Sequence, residues 1–329
     1  MSDQTKKYTS LFYFLGFGLI FSFIFHQLGH QAFATSPNLL AQTPEIAPEA
    51  VQINLFQAIV LGFVQGATEF IPISSTAHLK AVPVFFGWGD PGVSFIAVIQ
   101  LGSVAAVLSY FWSDLTQITQ GMIQAVRSSD YDSQDFWLAV GIAVGTIPIL
   151  VLGLMLKIFD PAFYENTLRS MPSIAIVSIV MALMLALAES IGSQKRDFKD
   201  LTVKDGIVVG LAQALAIIPG VSRSGSTMTA GLFNNLERST AARFSFLLGI
   251  PAILLSGLVE LKELLSPEVG TSFALAPLAG GLISSAVFSY LAIAWLLEFL
   301  KRRSTWVFVW YRLGFGVLIL IAVALGWIQ

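Results

Sequence analysis

The chain of 329 residues contains no cysteine. That excludes disulfides, thiolate metal sites and a cysteine nucleophile. Charge is scarce as well: 12% of residues are charged, about half of what a soluble domain carries. The net charge of −2 gives no overall basic field of the kind that draws nucleic acid. The short alternating segments of a membrane β-barrel are missing too. What the chain has in quantity is hydrocarbon, 55% of its residues, with a mean hydropathy of +0.77. Several apolar runs reach the roughly 18 or more residues needed to cross a bilayer as helix. These features predict an all-α polytopic membrane protein.

The N-terminus reads as a separate segment. Lys6 and Lys7 precede an apolar run from Leu11 to Phe25, and Ala32-Phe33-Ala34 gives an A-x-A pattern. The following "TSPNLLAQTPEIAPEA" is a proline-bearing, linker-like stretch. Two readings fit: a signal peptide cleaved near Ala34, or an uncleaved extra helix with a linker. Residues 1–53 are thus a leader and linker, and 54–329 form the membrane-embedded body.

Full crossings are expected near 92–112, 136–158, 170–192, 239–262, 274–300 and 305–327. Two further apolar stretches, 54–88 and 206–236, are each broken near the middle, at "IPISSTAH" and at "IPGVSRSGSTM". A broken segment at membrane depth is tolerated where its backbone is buried in protein or lines a watery cavity, so both are expected to be re-entrant helical hairpins. Six crossings place Lys195, Arg196, Lys199 and Lys204 on the same side as Lys301, Arg302 and Arg303. Arg127 and Arg238 join them. The opposite side holds Arg169 and Lys262 among Asp160, Glu165, Glu263 and Glu268. The positive-inside rule makes the basic side cytoplasmic. Hairpin 54–88 then opens from outside and hairpin 206–236 from inside.

An internal repeat supports this arrangement. "IVLGFVQGA", from Ile59, resembles "IVVGLAQAL", from Ile207, pairing Gly62 with Gly210 and Gln65 with Gln213. Each copy runs to a proline, Pro72 or Pro219, then to a serine-rich turn and three crossings. Three crossings per copy force opposite orientations, so repeat 1 (about 54–192) and repeat 2 (about 206–327) form an inverted repeat of a kind common in transporters.

The chemistry gathers at the two breaks. Gln65 and Glu69, four residues apart, share a helix face. Ser75 and His78, three apart, are expected to meet on the next helix, with Ser74 and Thr76 flanking Ser75. An ionisable group inside a membrane marks a functional site by default. His78 is the one histidine of the body, since His26 and His30 lie in the leader; a structural bond between hairpin arms is the competing role for it. The second break sets Arg223 between Ser222 and Ser224, followed by Ser226 and Thr227. A guanidinium is a planar, permanently charged fork for phosphate oxygens, and a glycine-bearing turn opening into a helix start can present N–H groups to an anion. Alternatively, Arg223 pairs with Glu69. Together the breaks supply an acid, a hydroxyl, a base and an anion clamp, a set suited to phosphoryl transfer.

"QGATEFIPISSTAHL" and "PGVSRSGSTMTAG" resemble the two signatures of the bacterial undecaprenyl-diphosphatase family, the bacitracin-resistance proteins. "FSFLLGIPA", from Phe244, and "YRLGFG", from Tyr311, also match family patterns, and the resemblance spans about 54–327. It implies a membrane-embedded, often dimeric enzyme in the bacterial plasma (inner) membrane. Its periplasm-facing site would hydrolyse undecaprenyl diphosphate to the monophosphate and phosphate with a divalent cation, recycling the lipid carrier for cell-wall synthesis. The expected assignments are Glu69, with help from Gln65, as ligands of Mg2+ or Ca2+, and Ser75 as nucleophile, with His78 handling the proton. Arg223 would clamp the anion, with the hydroxyls of Ser74, Thr76, Ser222, Ser224, Ser226 and Thr227 on substrate. Water or His78 as nucleophile stays open. Many family members carry glutamate where this chain has Gln65, which leaves one clear anionic ligand. A different class, a flippase for undecaprenyl phosphate, also fits an inverted repeat.

Overall fold

The computed structural model describes residues 53–129, 131–159, 163–264 and 274–328. The leader up to residue 52, with its A-x-A site, lies outside the described residues, as do Asp160 and Glu268. The described chain forms eleven α-helices: α1 Leu55–Glu69, α2 Ser75–Phe85, α3 Val93–Tyr110, α4 Trp112–Ser128, α5 Gln134–Phe159, α6 Met171–Ile191, α7 Val203–Ala214, α8 Arg223–Phe233, α9 Arg238–Leu264, α10 Leu275–Arg302 and α11 Trp306–Ala324. The one β-type pairing among these residues is an isolated bridge between Arg196 and Leu236.

Five helices, α5, α6, α9, α10 and α11, are long and apolar enough to cross a membrane. A sixth crossing is counted if α3 and α4, bent by 65° to one another, are taken together. The stretch expected to cross near 92–112 folds as α3, and the chain turns sharply at Phe111 into α4. Helix α4 has no counterpart among the expected elements. It carries Asp114 and three glutamines on an amphipathic cylinder that buries Ile118 and Ala125, so it offers no apolar run for hydropathy to register. Outside the bundle, large apolar side chains stand exposed, among them Val151 and Leu154 of α5, and Ile283 and Leu291 of α10. A soluble protein would bury most of them; a surface facing lipid tails leaves them outward.

Local chemistry sets the helix starts. Asn54 and Gln57 form a reciprocal capping box at α1, and Thr202 and Asp205 form one at α7. Proline in the turn ends the first helix of each pair, because it lacks an N–H and restricts its predecessor.

The helix–break–helix unit occurs twice at a constant offset of 148 positions, α1 starting at 55 against 203 for α7, and α2 at 75 against 223 for α8. Packing repeats with it. Helix α1 lies on α10, and α7 lies on α5. A Cβ on Gly62 would fall 2.3 Å from the Gly281 carbonyl oxygen, and one on Gly210 would fall 2.3 Å from that of Gly145. Only glycine allows backbones this close. Two further packed pairs, α3 with α9 and α6 with α11, join elements that take corresponding places after each break.

One end of the bundle is stapled by ion pairs. Arg196 binds Asp205 with both terminal nitrogens, at 2.8 and 2.6 Å. Glu189 accepts from Arg238 and, at 2.8 Å, from the Thr305 hydroxyl. Arg243 pairs with Asp114 while lying over the Phe198 ring. The loops after α6, α8 and α10 therefore meet at one end.

Candidate active site

Each break leaves backbone carbonyls without helical partners. In the first, α1 ends at Glu69, the chain turns through Phe70-Ile71-Pro72-Ile73, and Ser74 takes φ 76° before α2 begins at Ser75. In the second, Gly220 takes φ 94° and Ser222 φ 69° before α8 begins at Arg223. Left-handed serine is strained, and the same strain stands at the same place in both units. A single fully buried side chain holds both turns. Arg312 of α11 donates to the Pro72 carbonyl at 3.3 Å, to the Val221 carbonyl at 3.1 Å and to the Gly220 carbonyl at 2.6 Å. Carbonyls that would otherwise be orphaned in a dry interior gain a charged donor.

With the turns fixed, their side chains converge. Ser75 donates its hydroxyl to Glu69 Oε2 at 2.7 Å. Gln65 Nε2 donates to the same oxygen at 3.2 Å and to Ser103 Oγ at 3.3 Å. From the other unit, Arg223 Nη2 lies 3.4 Å from Glu69 Oε1, with both side chains nearly buried. Ser224 donates to the Ile71 carbonyl at 3.2 Å and further ties the two breaks together. A cavity of about 200 Å3 opens here, lined by Glu69, Ser74, Ser75 and Thr76 of the first unit and by Gly220, Ser222 and Arg223 of the second. Ala216 and Ile218 of the second unit, Ile149 of α5, Ala252, Ile253 and Ser256 of α9, and Gln100 of α3 complete its wall.

Not every expected residue reaches the cavity. Ser226 and Thr227 donate to the Arg223 carbonyl at 3.1 and 2.7 Å and are absent from the lining. Thr227 also meets Ser245 of α9. The Ser222 hydroxyl accepts the Gly225 N–H at 3.1 Å, so the turn's own serine caps the helix start that was expected to offer its amides to an anion.

The expected Ser75–His78 contact is not formed. His78 is buried, with Nδ1 at 2.7 Å from the Ser74 carbonyl and Nε2 at 2.6 Å from the Tyr311 hydroxyl. A carbonyl can only accept, so Nδ1 carries the proton and, in the neutral ring, Nε2 accepts from Tyr311. Phe315 stacks on the imidazole at 4.3 Å between centroids. Three residues apart on a helix brings two side chains near each other; it does not bond them, and the Glu69 carboxylate holds the Ser75 hydroxyl instead.

Glutamate, serine and arginine from two equivalent breaks thus share one cavity in a bundle of apolar helices. Residues 58–318 match the family described as bacitracin resistance protein BacA. This chain belongs to the BacA family. It is 57% identical over 328 residues to the undecaprenyl-diphosphatase of Synechocystis sp., covering 99% of each chain. It is 62% identical over 278 residues to the undecaprenyl-diphosphatase of Nostoc sp., covering 84% of this chain and 87% of that one. The undecaprenyl-diphosphatase of Trichodesmium erythraeum is 57% identical over 286 residues, covering 87% and 91%. With five apolar spans, membership of the BacA family makes this a multi-pass membrane protein.

The structure gives physical roles to two BacA-like stretches whose residues the sequence left without any. In "FSFLLGIPA", Phe246 meets Phe70 edge to face at 5.3 Å. Gly249 leaves space for Arg223, since a Cβ there would fall 1.7 Å from Nη1. In "YRLGFG", Tyr311 and Phe315 hold His78, and Arg312 holds both breaks. An arginine in an apolar helix was the one available signal for this role. Gln100 and Ser256 had no sequence signal at all, since single polar residues in spans are ordinary packing.

The donor set decides what metal would fit. Among the described residues no three His, Cys, Asp or Glu side chains cluster. Glu69 is the single carboxylate lining the cavity, with the Ser75 hydroxyl and the Gln65 amide beside it. That suits a divalent cation, Mg2+ or Ca2+, that takes most of its ligands from substrate phosphates and water and not from the protein alone.

Proposed function

We propose that this chain hydrolyses undecaprenyl diphosphate to undecaprenyl phosphate and inorganic phosphate at the cavity between the two breaks. The observation that carries this reading is the Ser75 hydroxyl held at 2.7 Å by Glu69 and faced by Arg223 from the opposite break. In this reading Ser75 Oγ attacks the terminal phosphorus and Glu69 Oε2 takes its proton. The bond from that phosphorus to the bridging oxygen breaks, and the lipid monophosphate leaves. Water then hydrolyses the phosphoserine. Arg223 turns from Glu69 to the phosphoryl oxygens, where its stabilisation grows in the transition state. His78 acts as a positioning residue, holding the Ser74 carbonyl beside the nucleophile. Glu69 and Gln65 would hold a divalent cation, which when bound supplies positive charge to the phosphate oxygens.

The same proposal places the chain in the bacterial plasma membrane. The two helix–break–helix units are re-entrant hairpins of an inverted repeat, with six crossings counting bent α3–α4 as one. The end bearing Arg196, Arg238 and the 301–303 cluster is cytoplasmic by the positive-inside rule, and the first break opens to the periplasm. The product would re-enter the lipid-carrier pool for cell-wall synthesis.

The test is phosphate release by purified protein in detergent micelles, where no second compartment exists. Turnover of undecaprenyl diphosphate that stops with chelator supports the reading. A protein that only moves lipid between leaflets releases no phosphate.

A further inference from the structure

A lipid diphosphate brings two phosphates to the site: one departs and one stays on the prenyl chain. Glu69, Ser75 and Arg223 form one hydrogen-bonded group, which serves the departing phosphoryl. We infer that Gln100 of α3 and Ser256 of α9 bind the phosphate that is retained, and so set the preference of the site for a diphosphate over a monophosphate. The inference rests on the phosphatase reading above and deepens it.

Both residues line the same cavity as the reactive group, yet belong to neither break. They sit where α3 and α9 cross, next to the contact of Leu101 with Gly257. Gln100 Nε2 lies 3.5 Å from Ser256 Oγ, at the outer limit of a hydrogen bond, so the two form a polar pair on the cavity wall. The adjoining wall is apolar, with Ile149, Ala252 and Ile253, and accommodates the first isoprene unit beside the retained phosphate. The division of charge fits the chemistry. A permanent cation, Arg223, faces the phosphoryl group whose charge is redistributed in the transition state, whereas neutral donors hold the group that must later leave as product. A monophosphate reaches one of the two positions and not both.

The test uses purified full-length protein with Gln100→Leu and Ser256→Ala, each checked by thermal unfolding in detergent. Steady-state kinetics on undecaprenyl diphosphate give KM and kcat, and titration with farnesyl phosphate measures affinity for a prenyl monophosphate. Loss of one hydrogen bond to a charged phosphate should raise KM and weaken farnesyl phosphate binding by roughly tenfold each, with kcat little changed. Variants that keep wild-type KM and farnesyl phosphate affinity overturn the inference. A fall in kcat alone also overturns it, placing these residues in the chemical step. Should Gln100→Leu fail to fold, Ser256→Ala carries the test. Wild-type protein that releases no phosphate refutes the phosphatase reading, and the farnesyl phosphate titration still decides the role of Gln100 and Ser256.

Discussion

Glu69 and Ser75 stand on two different helices, six positions apart, and their side chains meet at 2.7 Å across the turn between them. On a continuous helix, positions i and i+6 point about 120° apart and lie about 9 Å apart along the axis. The break is therefore what creates the pair, and in the proposed mechanism the two members act together. Ser75→Ala and Glu69→Ala should each reduce turnover by at least about 10²-fold, with thermal unfolding little changed. The double variant should be scarcely worse than the more damaged single, because groups acting as a unit are not additive. Mass spectrometry of acid-quenched enzyme should locate phosphate on Ser75. Phosphate on His78, or on neither residue, would remove Ser75 as nucleophile.

Arg223 and Gly249 form a second coupled pair. Arg223→Lys replaces the planar fork with a point charge and should cost about 10²–10³ in kcat. Gly249→Ala leaves the charge in place but puts a methyl group 1.7 Å from where Nη1 now lies. The guanidinium, as the flexible partner, has to move off Glu69. The expected outcome is a kcat loss approaching that of Arg223→Lys with near-normal thermal stability. Full activity in Gly249→Ala would show that Arg223 works from another position.

Arg312 should be more costly to remove from the fold than from the chemistry. It lines no part of the cavity, yet three carbonyls of the two breaks depend on it. Arg312→Leu strands those carbonyls at about 1–3 kcal/mol each. A large fall in detergent unfolding temperature is expected, and activity should be lost with the fold. Arg312→Lys reaches fewer carbonyls and should fall between. An Arg312→Leu protein of wild-type stability would contradict this role.

Gln65→Glu adds a second carboxylate beside Glu69. It should keep activity and lower the cation concentration needed for half-maximal rate, measured by titrating Mg2+ back after chelation. An unchanged Mg2+ requirement would place the cation away from Gln65.

The cysteine-free background allows sidedness to be read directly. Ser193 lies exposed in the loop after α6, and Asp90 lies exposed in the loop after α2. In intact cells, Ser193→Cys should be protected from an impermeant thiol reagent and Asp90→Cys should be labelled. The reverse pattern would turn the protein over and face the first break to the cytoplasm.

Much of this was legible in the chain. Long apolar runs announced α5, α6, α9, α10 and α11, because the bilayer fixes their length and chemistry. Proline and serine in "IPISSTAH" and "IPGVSRSGSTM" announced the two breaks, because a missing N–H and a left-handed turn leave local marks. The offset pairing Gly62 with Gly210 was visible because both glycines meet the same need for close backbone contact. Helix α4 was not legible: an amphipathic helix of mixed polarity gives a hydropathy scan no signal.

The sequence by itself determined the class of fold, the two breaks and the residue types at their tips, since each depends on neighbours within a few positions. Tertiary structure alone decided that Ser75 is held by Glu69 and not by His78, and that His78 serves Ser74 and Tyr311. It also decided that Arg312 binds both turns, that Gly249 makes room for Arg223, and that Gln100 and Ser256 complete the cavity. These are contacts between helices far apart in the chain, where the partner is set by which surfaces pack together, and no local spacing encodes that.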